Sequence, residues 1–179
     1  DSSDIVKSGY KQKTKDGKWI IGGYQSAIHC RTMSNPEVFK GERLSVMIFE
    51  EAGEFKELLN AYMSSKACFM DGNVQFGVPV IGGTGGDIET SSKDFMEMYY
   101  NADSFNLIPM FIPASVCYYG FFNTKTGVSD EKGARKELLD ERKKLEGKDN
   151  SKAYNLHIQN YPLTVEEAFL KTKGSRFDL

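Results

Sequence analysis

The sequence predicts a mixed α/β chain: a short, mostly parallel sheet at the centre, a β-hairpin ahead of it and a small helical subdomain behind. Three observations carry that reading. Two apolar runs, Leu44–Phe49 and Val74–Ile81, flank a stretch in which Phe55, Leu58, Leu59, Tyr62 and Met63 recur at helical spacing. That is the strand–helix–strand order whose strands lie parallel, joined by a right-handed crossover. Upstream, Lys15-Asp16-Gly17-Lys18 separates Tyr10–Thr14 from Trp19–Tyr24, and Asp-Gly is the pair that tight hairpin turns favour. Beyond Pro113 the composition changes to an aromatic patch and then a charge-dense stretch from Asp130 to Lys148, so a boundary is placed there, dividing 1–113 from 114–179.

The elements follow in chain order. The second arm of the hairpin is expected to continue through Gln25 to Arg31. Ser34-Asn35-Pro36 pairs a capping residue with a proline suited to a first helical turn, and Gly41 ends the short helix it would start. The nearly continuous apolar run Leu44–Phe49 has the pattern of a strand buried on both faces, closed abruptly by Glu50 and Glu51. After the amphipathic helix and the strand Val74–Ile81 comes Gly82-Gly83-Thr84-Gly85-Gly86-Asp87, which must be a loop. A helix from Ser91 is predicted to use Asp94 in a capping box and Phe95, Met98 and Tyr99 as its inner face, and a strand Asn106–Ile112 to extend the sheet. Leu138, Leu139 and Leu145 make a narrow stripe on an outer, solvated helix, and Thr164 with Glu167 caps a last short helix carrying Ala168 and Phe169.

Composition narrows the function classes. A chain of 179 residues, 40% hydrophobic and 27% charged, has room for one core and a small appendage. A formal net charge of −2 excludes a generally basic nucleic-acid coat. Cys30, Cys68 and Cys117 are odd in number and far apart, so neither a disulfide framework nor a zinc site is expected. The longest uncharged stretch, Ser104–Thr124, is interrupted by Asn106, Pro109, Pro113 and Gly120 and falls short of the ~20 apolar residues of a membrane span. A soluble, intracellular protein with no membrane partner is the expectation. The chain opens on Asp1 with no secretory leader, and reads as a piece of something longer.

The chemistry centres on Val46–Glu51, apolar residues followed by two acids at a strand's C-terminal end, the edge where open α/β sheets bind ligands. There the first acid, Glu50, can hold a magnesium ion through water, while Glu51 can deprotonate a water that attacks a phosphate. Side-chain alternation would turn the two to different sides. A solvated strand end is the alternative. In the glycine loop Thr84 is the only hydroxyl; if the two strands are neighbours it lies beside the same site, although a plain turn also explains such a loop.

The segments F-K-G-E-R-L-S-V-M-I-F-E-E-A-G-E-F, V-P-V-I-G-G-T-G-G-D and N-Y-P-L-T-V-E-E-A-F, in that order and with Glu51 and Thr84 thirty-three residues apart, resemble the ATPase region of the large subunit of tailed-phage terminases over residues 32–177. The resemblance implies a partial P-loop NTPase-like fold of the additional-strand, catalytic-glutamate class, with a C-terminal lid or linker subdomain. It implies an ATP- and Mg2+-dependent motor that drives double-stranded DNA into a prohead, working as a homo-oligomeric ring with portal protein and small terminase subunit in the cytoplasm of an infected bacterium. Glu50 then falls on the magnesium-associated acid of Walker B, Glu51 on the catalytic glutamate and Thr84 on the coupling motif. Lys40 stands where the family commonly has an arginine that acts on a neighbour's ATP; lysine lacks the bidentate fork, and Arg43 is a rival.

The family's Walker A loop, G-x-x-x-x-G-K-[ST], occurs nowhere in the 179 residues. The chain is therefore expected to be the later part of an ATPase domain, inactive alone. Two other classes stay open: a metal-dependent hydrolase or nuclease on Glu50, Glu51 and Glu54, and a non-catalytic interaction module on a nucleotide-binding scaffold. His29 and His157, without partners at ligand spacing, are read as structural or surface residues. Arg135, Lys136, Arg142, Lys143 and Lys144, interleaved with acids, are read as a solvated helix face, and the aromatics near Tyr118 as core.

Overall fold

The computed structural model describes residues 3–32, 37, 39–85, 92–116, 118–147 and 151–170. In order, these form β1 Ser3–Lys7, β2 Tyr10–Lys13, β3 Trp19–Gly22, β4 Ala27–Arg31, β5 Val46–Phe49, α1 Leu58–Ser65, β6 Met70–Asp71, β7 Val74–Gln75, β8 Val78–Ile81, α2 Lys93–Tyr100, α3 Glu131–Leu145, α4 Ser151–Asn160 and α5 Val165–Ala168. The fold is mixed α/β. Among the described residues the strands make four two-stranded sheets, of which only β5–β8 is parallel. The expected mostly parallel sheet is thus confined to one pair, because a parallel pair needs a crossover, and β5–α1–β8 is the one strand–helix–strand unit described.

The hairpin forms as expected, with β2 and β3 antiparallel from Tyr10↔Gly22 to Lys13↔Trp19 and Gly17 at φ 79 in its turn. Its second arm stops at Gly22. Residues 27–31 instead form a separate strand, β4, antiparallel to β1, a pairing that no local turn signal announces. Among the described part of residues 34–41 there is a turn rather than a helix, ended by Gly41 at φ 90; Ser34, Asn35 and Pro36 lie outside the described residues.

Met47 and Phe49 of β5 enter the core with Ala52, Leu58, Ala61, Tyr62, Cys68, Phe69 and Met98. The Tyr62 ring meets Phe49, Phe69 and Phe105, and its hydroxyl donates to the Phe105 carbonyl at 2.7 Å. The other face of β5 is not buried: Val46 is 55% and Ile48 65% exposed, as are Val78 and Val80 beside them at 56% and 45%. The expectation of burial on both faces is not met among the described residues, whose helical cover lies on one side of the pair. Val74–Ile81 is likewise two strands: β7 turns back on β6 through Gly72-Asn73, and the chain breaks at Phe76-Gly77 before β8. Gly77 lies so close to the Leu44 carbonyl that a Cβ would run into it.

No strand forms over Asn106–Ile112. Ile108, Met110 and Ile112 are exposed, and Pro109 and Pro113 remove the N–H donors a ladder would use. The predicted start of α2 at Ser91 lies outside the described residues. The capping box predicted for Asp94 involves Ser91 and so also lies outside the described residues; the Asp94 carboxylate accepts the Leu59 N–H at 3.0 Å, filling an open donor in the first turn of the neighbouring α1. In α3, capped by Asp130, the buried stripe is Ala134, Leu138 and Arg142, while Leu139 is exposed. Helix α4, absent from the sequence reading, packs on α3. Thr164 caps α5 as expected, its hydroxyl accepting from Glu167 N–H at 3.3 Å. Among the described residues no helix is long and apolar enough to cross a membrane.

Candidate functional site

β5 and β8 run side by side in register Val46↔Val78 to Phe49↔Ile81, so their C-terminal ends emerge together. Two main-chain bonds lace the segments that follow. Gly82 N–H donates to Phe49 O at 3.0 Å, and Ala52 N–H donates to Gly82 O at 2.9 Å. Between them Glu51 takes the left-handed conformation, φ 55 and ψ 41, and leads into a 3-10 turn, Ala52–Glu54. Such a backbone costs a glutamate about 1–3 kcal/mol and persists only where its surroundings over-determine it. Gly83 is part of those surroundings: a Cβ there would fall 2.6 Å from Ala52 N and 3.1 Å from Glu51 Cα.

The acid pair and the glycine loop are therefore adjacent, as the parallel arrangement required. Glu50, Glu51 and Thr84 are all exposed, and among the described residues none of the three side chains has a hydrogen-bond or ion-pair partner. The alternation expected to part the two acids does not operate, because the strand ends at Phe49 and the left-handed turn sets Glu51 instead. Gly86 and Asp87 lie outside the described residues.

Lys40 is not joined to this site by any ion pair or hydrogen bond among the described residues; it pairs with Glu37 at 3.3 Å, both side chains exposed. Arg43 reaches Asp71 at 3.4 Å and stacks over the Phe76 ring at 4.6 Å. Glu54 is exposed on the 3-10 turn, and among the described residues no group of three or more His, Cys, Asp or Glu side chains could hold a metal ion. Cys30 is exposed and Cys68 buried, both as free thiols, and Cys117 lies outside the described residues.

A second polar constellation joins the three C-terminal helices. Arg142, read as part of a solvated face, is 6% exposed. Its guanidinium forks onto Glu167, Nη1 to Oε1 and Nη2 to Oε2 at 2.9 Å each, and Nη2 also donates to Tyr161 O at 2.8 Å. Glu167 Oε2 further accepts Leu163 N–H at 2.6 Å. Burial opposes the charge on Glu167, but Arg142 and that N–H outweigh it and hold the carboxyl below its ordinary range. The available signal was spacing: Arg142 lies four and eight residues after Leu138 and Ala134, on the stripe the helix buries. Arg135, Lys136, Lys143 and Lys144 do stay exposed.

Beside this pair His157 meets Glu141 at 3.1 Å and stacks on Tyr161 at 5.1 Å between ring centres, a structural use of histidine. His29 lies 3.8 Å from Glu42. Of the aromatic patch, Tyr118 packs on Phe121 and Tyr161, whereas Tyr119 is 90% exposed and not core. Comparison with protein-family models, with curated proteins and with solved structures finds no match to this chain.

Proposed function

We propose that the chain carries the Walker B strand and the coupling loop of an ATP-hydrolysing DNA-packaging motor of the terminase large-subunit type, with 1–113 as part of the ATPase core and 114–179 as its lid or linker. The observation that supports this reading is the strained, exposed Glu51 held at the end of β5 against a glycine loop that leaves the adjacent parallel strand. Strained residues of this kind concentrate at functional sites. An acid with no structural partner can serve as a general base, and Thr84, equally exposed, can follow the phosphate while the loop moves.

Glu50 is the residue that would associate with magnesium. Mg2+ in phosphoryl-transfer sites takes one or two carboxylates and fills its other positions from phosphates and water, so a lone exposed carboxylate at a strand end fits it without a protein cage. Lys40, in a weak exposed pair with Glu37, is freer to act on a neighbouring subunit than Arg43, which is engaged by Asp71 and Phe76. Double-stranded DNA, portal protein, the small subunit and further copies in a ring are the partners this function calls for, in the cytoplasm of an infected host.

The experiment is calorimetry with Mg-ATP on two proteins. The 179-residue chain, which lacks the phosphate-cradling loop and its lysine, should neither bind nor turn over ATP. A longer product of the same reading frame that adds G-x-x-x-x-G-K-[ST] ahead of Asp1 should do both. Turnover by the short chain, or a frame with no such loop, overturns the motor; the latter favours the interaction module, to which the exposed face of β5 and β8 would lend a surface.

A further inference from the structure

The glycine loop is gripped from two sides. On one side lies the Glu51 turn. On the other lies the end of α5, where Gly85 is buried and a Cβ on it would run into the Ala168 carbonyl oxygen. Helix α5 is only four residues long and has little stability of its own. Its position is set by what it touches. Arg142 of α3 holds Glu167, Gln159 of α4 donates to Leu170 O at 2.8 Å, and the Phe169 ring is wedged among Phe95, Tyr99 and Tyr100 of α2. Three helices thus converge on the element that abuts the loop.

We propose that Arg142 and Glu167 are positioning residues for the glycine loop: the fork of buried Arg142 on half-buried Glu167 seats α5, the Ala168 carbonyl seats Gly85, and the loop so held keeps Gly82 bonded on both sides of Glu51. A displacement of α3 relative to α5 then reaches Thr84 through the close approach of the Ala168 carbonyl to Gly85, with no Cβ to cushion it. The proposal rests on the ATPase reading only for what the loop would touch. The clamp itself acts in the chain without nucleotide.

The test is site-resolved amide hydrogen exchange by NMR on the 179-residue chain, with no ATP present. Two amides report on the loop, Gly82 and Ala52, and a third, Val78, which donates to Ser45 O at 2.9 Å at the far end of β8, reports on the sheet. Glu167→Gln keeps shape but loses charge, and should speed exchange at Gly82 and Ala52 by about tenfold while Val78 changes little. Arg142→Lys keeps a buried cation without the fork and should do the same to a smaller degree. Lys143→Ala, on the exposed side of α3, should leave all three alone. If Glu167→Gln fails to fold, Arg142→Lys decides the matter. Unchanged exchange at Gly82 and Ala52 in the folded variants, or an equal rise at Val78, overturns the clamp. Neither outcome depends on ATP binding, so the clamp and the motor reading fail separately.

Discussion

At the ends of β5 and β8 the polar side chains are exposed and the main chain does the holding; between α3 and α5 a buried arginine and a half-buried glutamate hold one another. Glu51 is fixed by N–H···O bonds at Ala52 and Gly82 and by the missing Cβ of Gly83, so its carboxylate has no structural duty. Arg142 and Glu167 have the opposite character: both Nη atoms of the guanidinium and both carboxylate oxygens are engaged in hydrogen bonds. A carboxylate free of partners is available for chemistry, whereas a committed one is an anchor. The comparison separates function from stability at the level of single residues, and mutation can break it.

The largest effect is expected at Glu51. On the proposed motor reading, Glu51→Gln in a longer product that carries the phosphate-binding loop should slow single-turnover hydrolysis by about 10²–10⁴-fold, the usual worth of a positioned base, while the unfolding midpoint stays where it was. Glu50→Gln should instead shift the magnesium dependence. If Glu51→Gln merely moves the magnesium midpoint and recovers full rate at saturation, the two roles are exchanged.

Arg142→Ala should cost about 1–3 kcal/mol in urea denaturation of the 179-residue chain, because it leaves the half-buried Glu167 carboxylate without its cation. A loss below about 1 kcal/mol, the range of exposed pairs, would place Arg142 in the same class as the strand-end acids.

Glu51→Gly should raise the stability of the 179-residue chain by about 1 kcal/mol, since glycine adopts the left-handed turn without steric cost, and on the proposed reading should abolish hydrolysis in the longer product. Stability gained as activity is lost is the pattern of a residue strained for function. Destabilisation by this change would mean that the glutamate side chain has a structural role after all.

The smallest effect is in acid. Glu167 is depressed in the folded chain, so its contribution is fully present above the ordinary value of 4.5 and is lost as pH falls through the lowered folded value. Denaturation midpoints should therefore drop on acidification more steeply for the parent chain than for Glu167→Gln. Equal slopes would show that the pair does not bias the carboxyl.

Much of this was legible in the residues, and where it was not the cause can be named. Asp16-Gly17 gave away the hairpin, and Thr164 the cap of α5, because turns and caps are set by neighbours within four residues. The adjacency of Glu51 and the glycine loop followed from apolar periodicity, since strand–helix–strand units pair their strands in parallel. By contrast β1 and β4 pair at separations from Lys7↔Ala27 out to Ser3↔Arg31, and nothing in S-D-I-V-K names its partner. Asp94 has the spacing of a cap for its own helix, and nothing local announces that it also serves α1. Residues Asn106–Ile112 have strand composition, yet Pro109 interrupts them and no strand among the described residues pairs with them, so they are irregular.

The sequence by itself determined the local and periodic features: where chains turn, which helix faces are apolar, and that two acids follow a short strand. Only the tertiary structure decided burial and strain. Val46 and Ile48 look like core and stand exposed, because burial depends on whether a second layer covers the sheet face. Arg142 looks like surface and is buried, because Glu167, twenty-five residues away, supplies the charge that makes its burial tolerable. Glu51 is strained because two loops meet there, and a meeting of distant segments is set by packing, which no single stretch of residues encodes.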